Sequence, residues 1–366
     1  MNSNFVVDLR LYGIMPLIGL VYLFVKPKID KVWIPLLITF IFGIIISLHQ
    51  NDFLSFRRSF QAIMMIWFCS FLIHQLNEVQ FIKLAQNCYY FIAGFHILQI
   101  FYGNISNEFG ILSNVELLQN KEVINFLGFQ PNFVVEGLLN NANYTGITLA
   151  FVGIYLYLKK KTSLLCFMVV LLTLSLTAIM SIITFFSLLF ISRKITKYYY
   201  NISFILIVIL LSYPLLIYVF EKSELETLKY FLNYYSGYRY IEHLTFIELF
   251  KDNFFGVGFD KSHLFYKEYS YMGSPLLDNQ VIEPMHEKTG PHNTLIKILV
   301  ELGFLSYSSF CLFIILMQKK LKYCSISLLN LLPTLIFSFL WIDGHTYFFS
   351  YFVFAIILRE IYLKEI

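Results

Sequence analysis

Hydrophobic residues along this chain gather into long, nearly unbroken runs: 11 to 25, 32 to 48, 59 to 76, 84 to 103, 142 to 158, 163 to 192, 202 to 220, 294 to 317, 324 to 342 and 346 to 358. Most approach the ~20 residues that cross a bilayer core of about 30 Å, where a helix satisfies its own backbone groups. The pattern predicts an all-α polytopic membrane protein of about ten to twelve transmembrane helices, forming a single membrane domain over residues 1 to 366.

Short basic clusters orient the spans. Lys26, Lys28 and Lys31, Lys159 to Lys161, Arg193, Lys194 and Lys197, Lys319, Lys320 and Lys322, and Arg359 and Lys364 all read as cytoplasmic. Run 163 to 192 has such clusters at both ends and would measure ~45 Å as one helix. A broken hairpin of two short half-spans, turning near Thr173 to Thr177, keeps both ends on one side, whereas a single tilted helix sends one outside. The hairpin reading places loops 104 to 141 and 221 to 290 outside and the C-terminus inside. It also puts Arg57 and Arg58 near the outer surface, which means either a miscounted span or a charge with a function.

Loop 221 to 290 is far longer than an ordinary connection and too rich in Tyr and Phe for a solvated linker. Within it, YIEHLTFIELF (240 to 250) brings Ile241, Leu244, Ile247 and Leu249 close to helical spacing, which predicts an amphipathic helix lying at the membrane surface.

Composition sharpens this picture. The chain is 58% hydrophobic and 19% aromatic, and only 14% of its residues are charged, against roughly 25% in average soluble domains. A net charge of +4, spread between loops, points to no nucleic-acid partner. Cys69, Cys88, Cys166, Cys311 and Cys324 lie in or beside apolar runs without CxxC spacing, so neither a disulfide framework nor a metal site is expected. Asp8 and Arg10 occupy the place where a signal peptide needs another pattern, and the first segment is expected to be retained.

Acids and bases concentrate in the outer loop, as Arg239, Glu242, His243, Asp260, His263, Glu283, His286, His292 and Asn293, while the spans carry almost none. A transporter more often places such groups along its path at the midplane, so chemistry or binding at the outer face is favoured. Arg239 offers a planar fork for phosphate, or else snorkels at the interface. Asn293 suits the N-cap of the helix that follows Pro291, and a helix N-terminus also attracts anions, which puts His292 where a phosphate would be welcome. Lys297 and Glu301 stand one turn apart and can pair. Gly256-Val-Gly258 precedes no βαβ unit and reads as a tight turn.

In order, SGYR (236 to 239), the aromatic helix, DNFFGVGF (252 to 259) and PHNTLIKILVELGFLS (291 to 306) resemble the O-antigen ligase and O-antigen polymerase superfamily, most specifically over residues 236 to 306. NNANYTGITLA (140 to 150) is similar to a weaker motif of that family. LSLTAIMS (174 to 181) lacks the arginine of the family's usual Ser-Arg pair, and Arg57 or Arg58 is the substitute available.

The resemblance implies a bacterial enzyme of the inner (cytoplasmic) membrane, with its active site on the extracytoplasmic side. It implies an inverting, metal-independent glycosyltransferase without cofactors. The donor is a polyprenyl-pyrophosphate-linked glycan; the acceptor is a sugar hydroxyl on another lipid-linked repeat unit (polymerase) or on lipid A core (ligase). Membrane lipids, a flippase and a chain-length regulator are the further partners implied. His292 and Arg239 become the catalytic candidates, with His292 as base and Arg239 stabilising the departing pyrophosphate; the base and phosphate-binding roles of Glu242 and His292 could also be exchanged. Asn293, Glu242, His243, Arg57 and Arg58 become substrate-binding candidates. Polymerase is the reading adopted, because the outer loop is aromatic and the basic clusters are small. A transporter or flippase of lipid-linked sugars, or a structural partner of an export complex, stands as the alternative from another class.

Overall fold

The computed structural model describes residues 4–25, 29–103, 115–116, 134–135, 142–225, 227–229, 231, 239–269, 291–342 and 348–365. The longer helices are α1 (Asn4–Val25), α2 (Ile34–His49), α3 (Phe53–Gln75), α4 (Glu78–Gly103), α5 (Ala142–Leu158), α6 (Phe167–Leu172), α7 (Leu176–Lys194), α8 (Tyr199–Leu211), α9 (Tyr213–Glu221), α10 (Arg239–Asp252), α11 (Thr294–Leu321), α12 (Leu331–Phe339) and α13 (Phe348–Glu365). A two-residue antiparallel ladder pairs Val115 with Val135.

The protein is therefore an all-helical, multi-pass membrane protein, as the hydrophobic runs predict. Among the described residues, four helices are long and apolar enough to cross a bilayer: Lys31–His49, Phe53–Gln75, Leu176–Lys194 and Thr294–Leu321. A fifth span arises if α8 and α9, bent by 58°, count as one, and Met15–Val25, Asn143–Leu158 and Ser327–Phe339 are shorter apolar helices. Against the ten to twelve spans expected, the described residues thus give four or five full spans beside three shorter apolar helices. Pro214 opens α9, and since it has no N–H for the carbonyl one turn back, the chain bends there.

The described chain falls into two compact units. In the first, α4 packs on α5 and α5 on α6. Tyr89 donates to the Cys166 carbonyl at 2.5 Å, and Lys159 pairs with Glu78 at 2.8 Å. The break expected within 163 to 192 falls at 173–175, where Leu174 has φ +52°. Ser175 Oγ accepts from the Ala178 N–H at 3.2 Å and donates to Asn143 Oδ1 at 2.9 Å. The arms are unequal, however: α6 has 6 residues, whereas α7, at 19, is long enough to be a span by itself. The expected pair of short half-spans is corrected accordingly, because the left-handed residue ends the first arm early and Ser175 caps a full-length second one.

In the second unit α11 lies along α2. Small and hydroxylated residues permit the approach, as membrane helix pairs favour. A Cβ on Gly43 would meet Leu302 Cδ2 at 3.1 Å, Thr39 donates to the Ser306 carbonyl at 3.2 Å, and Ser309 to the Pro35 carbonyl at 2.6 Å. Near the far end of α11, Lys320 pairs with Asp30 at 3.6 Å.

Helix α11 is broken at Gly303, whose φ is 80° and ψ is 175°. The break frees carbonyls that need donors in an apolar setting, and the turn after α10 supplies them. Val257 N–H bonds to the Val300 carbonyl and Gly258 N–H to the Glu301 carbonyl, each at 3.0 Å, and Phe304 N–H bonds to the Phe254 carbonyl at 3.1 Å. Gly256 and Gly258 (φ +97° and +104°) follow the same logic, since a Cβ on Gly256 would lie 2.5 Å from the Glu301 carbonyl oxygen. The GVG turn does close off the preceding helix, and its larger task is to mend the broken one.

Helix α10 forms where the spacing predicts, but it is enclosed rather than lying on a surface: Tyr240 through Ile247 are all buried, Glu242, His243 and Thr245 included. Ile217 of α9, Ile296 and Val300 of α11, and Tyr266 and Tyr269 share one core with it. Apolar neighbours cover it on several sides, and its last two residues, Lys251 and Asp252, are exposed.

Candidate active site

His292 immediately precedes α11, and its orientation follows from how that helix is capped. Asn293 Oδ1 accepts from the N–H groups of Leu295 and Ile296 at 2.9 and 3.0 Å, which makes Asn293 the N-cap. Its amide nitrogen donates to the Leu340 carbonyl at 3.2 Å, so the fully buried side chain is engaged at both ends. Thr294 Oγ1 donates to the Ile342 carbonyl at 2.6 Å, and Arg239 Nη1 to the Trp341 carbonyl at 3.3 Å. Three successive carbonyls, 340 to 342, thereby receive the residues after His292 and the first residue of α10. That segment, the end of the apolar run 324 to 342, is the hub joining Arg239 to His292.

Glu242 stands one turn after Arg239 on α10. Its Oε1 accepts from the His292 backbone N–H at 2.7 Å and lies 3.0 Å from His292 Nδ1. The carboxylate is buried (side chain 6% exposed), whereas the imidazole is 46% exposed, so Nδ1 faces its partner while the ring remains open to a reactant. Burial alone would raise the Glu242 pKa, but the His292 hydrogen bonds and the nearby His292 and His243 outweigh it and hold the carboxyl below its ordinary value. A carboxylate on Nδ1 fixes the tautomer that leaves Nε2 to accept a proton. Arg239 is largely enclosed; burial draws its pKa down while Glu242 and Tyr213 support the charge. Its guanidinium lies 5.9 Å from the centre of the Trp341 ring.

His243 follows Glu242 directly on α10. It is wholly buried, its Nδ1 meets Tyr213 Oη at 2.9 Å, and Nε2 has no hydrogen-bond partner among the described residues. Burial pushes its pKa down to about 4. The unfolded chain takes up that proton near 6.5 and the folded protein only near 4, so stability present above pH 6.5 is expected to be lost as pH falls toward 4. Thermal unfolding of detergent-solubilised protein across that window checks this, and His243→Gln is expected to flatten it.

A second cluster gathers around Asp260, which has φ +59°. Arg58 of α3 and Lys297 of α11 both pair with its carboxylate, the latter at 3.0 Å. Glu301 Oε2 accepts from the Asp260 N–H at 2.7 Å, and Oε1 from Ser262 Oγ at 2.7 Å. The expected pairing of Lys297 with Glu301 is present at 3.9 Å, but each has a closer partner just after the GVG turn, at Asp260 and Ser262. Ser55 Oγ donates to the Phe259 carbonyl at 2.9 Å, and Lys261 pairs with Asp52 at 2.9 Å, tying the α2–α3 turn to the same place. Arg58 thus faces the loop that follows α10, while Arg57 is exposed. Glu283 and His286 lie outside the described residues. Among the described residues no group of three His, Cys, Asp or Glu is placed to hold a metal ion.

Sequence reasoning did not anticipate the anchoring role of Trp341 or the clamping role of Glu301. Both act through contacts distant in sequence, and the glycine at 303 was the one local sign that the GVG turn and α11 must meet.

Residues 162–311 match the family described as O-antigen ligase. No curated protein and no solved structure matches the chain.

Proposed function

We propose, on the premise that this chain carries an O-antigen ligase family domain over residues 162–311, a family whose members are glycosyltransferases, that it polymerises lipid-linked oligosaccharide repeat units. The donor is a glycan on polyprenyl pyrophosphate, and the reaction takes place at the extracytoplasmic face of a bacterial cytoplasmic membrane.

The supporting observation is the buried Glu242 carboxylate on Nδ1 of the half-exposed His292, with Arg239 one turn earlier on the same helix. In the proposed reaction the acceptor hydroxyl oxygen attacks the anomeric carbon from the face opposite the pyrophosphate, inverting it. The proton goes to His292 Nε2. The bond from the anomeric carbon to the phosphate oxygen breaks, its electron pair stays on the pyrophosphate, and Arg239 stabilises the charge that gathers there. Pyrophosphate leaves readily, so no strong acid is required. Glu242 is enclosed and holds the imidazole, which favours His292 over Glu242 as the base. Asn293 serves by holding the helix end, and so His292, in place.

Arg239→Lys keeps the charge and loses the fork, so donor turnover is expected to fall on the order of ten- to a hundredfold, about one charge-assisted hydrogen bond's worth; steady-state assay of purified variants checks it. An unchanged rate would remove Arg239 from the reaction.

The polymerase reading rests on the aromatic outer loop and the small basic clusters; the family's description favours ligase. Gels of surface polysaccharide from cells lacking the protein separate the two. Single repeat units on the acceptor mean polymerase, long polymer stranded on carrier lipid means ligase, and an unaltered ladder would overturn both.

A further inference from the structure

Arg58 and Lys297 come from different helices, yet both close on one carboxylate, that of Asp260. The Asp260 backbone is held independently of its side chain, through its N–H on Glu301 at 2.7 Å. The carboxyl can therefore rotate away while the turn stays in place. Lys297 is deeply buried, at 4% side-chain exposure, but Arg58 and Asp260 are 36% and 27% exposed, so the cluster opens outward on the arginine side. A buried lysine needs a compensating anion at all times, and Glu301, at 3.9 Å, remains beside it if Asp260 leaves.

The surface next to this opening has a particular character. On the first turns of α3, Phe53, Phe56 and Phe60 stack in sequence with centroids 6.4 Å apart, and Phe53 and Phe60 are exposed at 77% and 39%. Arg57 is exposed on the same face, one turn from Phe53 and Phe60. An apolar ladder leading to an arginine pair suits an amphiphile with an anionic head and a long hydrocarbon tail.

We propose that Asp260 is an internal stand-in for phosphate: its carboxylate fills an anion site made by Arg58 and Lys297, and the pyrophosphate of the lipid-linked donor competes with it for those two cations. The proposal rests on the glycosyl-transfer reading for the identity of the donor, and it gives the site a built-in threshold. Donor affinity is lowered by the fraction of time that Asp260 holds the cations, as for any ligand whose competent state is partly populated. Weak phosphates free in solution are thereby refused, whereas a donor that also binds through its lipid and sugar displaces the carboxylate.

The probe is inorganic pyrophosphate, titrated calorimetrically into purified, detergent-solubilised protein. Asp260→Asn and Asp260→Gly both tolerate the left-handed backbone at this position, so at least one keeps the turn intact. Each is expected to bind pyrophosphate roughly tenfold more tightly than wild type, and combining either with Arg58→Gln is expected to abolish the gain. Binding that is unchanged or weaker in both Asp260 variants would overturn the proposal. Glycan transfer by the same wild-type preparation separates the two ideas. Transfer with unaltered pyrophosphate binding removes the Asp260 proposal alone, while tighter binding without transfer removes the glycosyltransferase reading and leaves the anion site standing.

Discussion

Replacing His292 by glutamine is expected to slow glycan transfer by roughly a hundred- to ten-thousand-fold, the range lost with a positioned general base. The expectation comes from geometry. Glu242 Oε1 lies 3.0 Å from Nδ1, so the ring is oriented from one side and half-exposed on the other. Glutamine can still donate to Glu242 but has no basic nitrogen for the acceptor proton. The site should survive the change, because Asn293 caps α11 and the 340–342 carbonyls hold Asn293, Thr294 and Arg239 without help from the imidazole. Turnover should therefore fall with little change in donor affinity or melting temperature. Glu242→Gln is expected to lose less, since the ring keeps a neighbour but loses the charge that supports the imidazolium. Single-turnover assays of both variants beside a melting curve check this; equal loss of folding and turnover would make His292 a structural residue.

The second large effect is on folding. Gly303→Ala is expected to destabilise the protein by at least ~3 kcal/mol, since its φ/ψ is one that essentially only glycine holds and two or three hydrogen bonds depend on it. A Cβ there would lie 2.4 Å from the Phe255 carbonyl oxygen, which is backbone and cannot swing aside. Moving it would pull Val257 and Gly258 off the Val300 and Glu301 carbonyls, and with them the turn that carries Asp260. Gly94→Ala is the matched control, because among the described residues nothing lies within 4 Å of its added Cβ. Yield and melting temperature in detergent should fall for the first and hold for the second; a Gly303→Ala protein as stable as wild type would show that the break in α11 is dispensable.

Much of this architecture was legible in the residues. The runs at 32 to 48, 59 to 76 and 294 to 317 became full-length helices because a long apolar stretch has few other ways to satisfy its backbone. The break near 173–175 and the cap at Asn293 were legible for local reasons, a Ser/Thr-rich turn and an amide before an apolar run. The surface helix was misjudged because periodicity shows which residues want burial, not how many sides are covered. Glu242 and His243 in a buried helix are intelligible only once His292 and Tyr213 are seen beside them. The partner of Arg58, the carboxylate of Asp260, lies more than two hundred residues away in the chain, and no local signal shows it.

The most direct test of the central claim is a reconstituted assay: purified protein in liposomes with lipid-linked repeat units on the side bearing loop 221 to 290, followed by gel analysis of glycan length and release of polyprenyl pyrophosphate. The account predicts longer glycan and released carrier with wild type, and neither with His292→Gln or Arg239→Ala. Movement of intact donor across the bilayer without chain growth, or growth that persists in both variants, would contradict it.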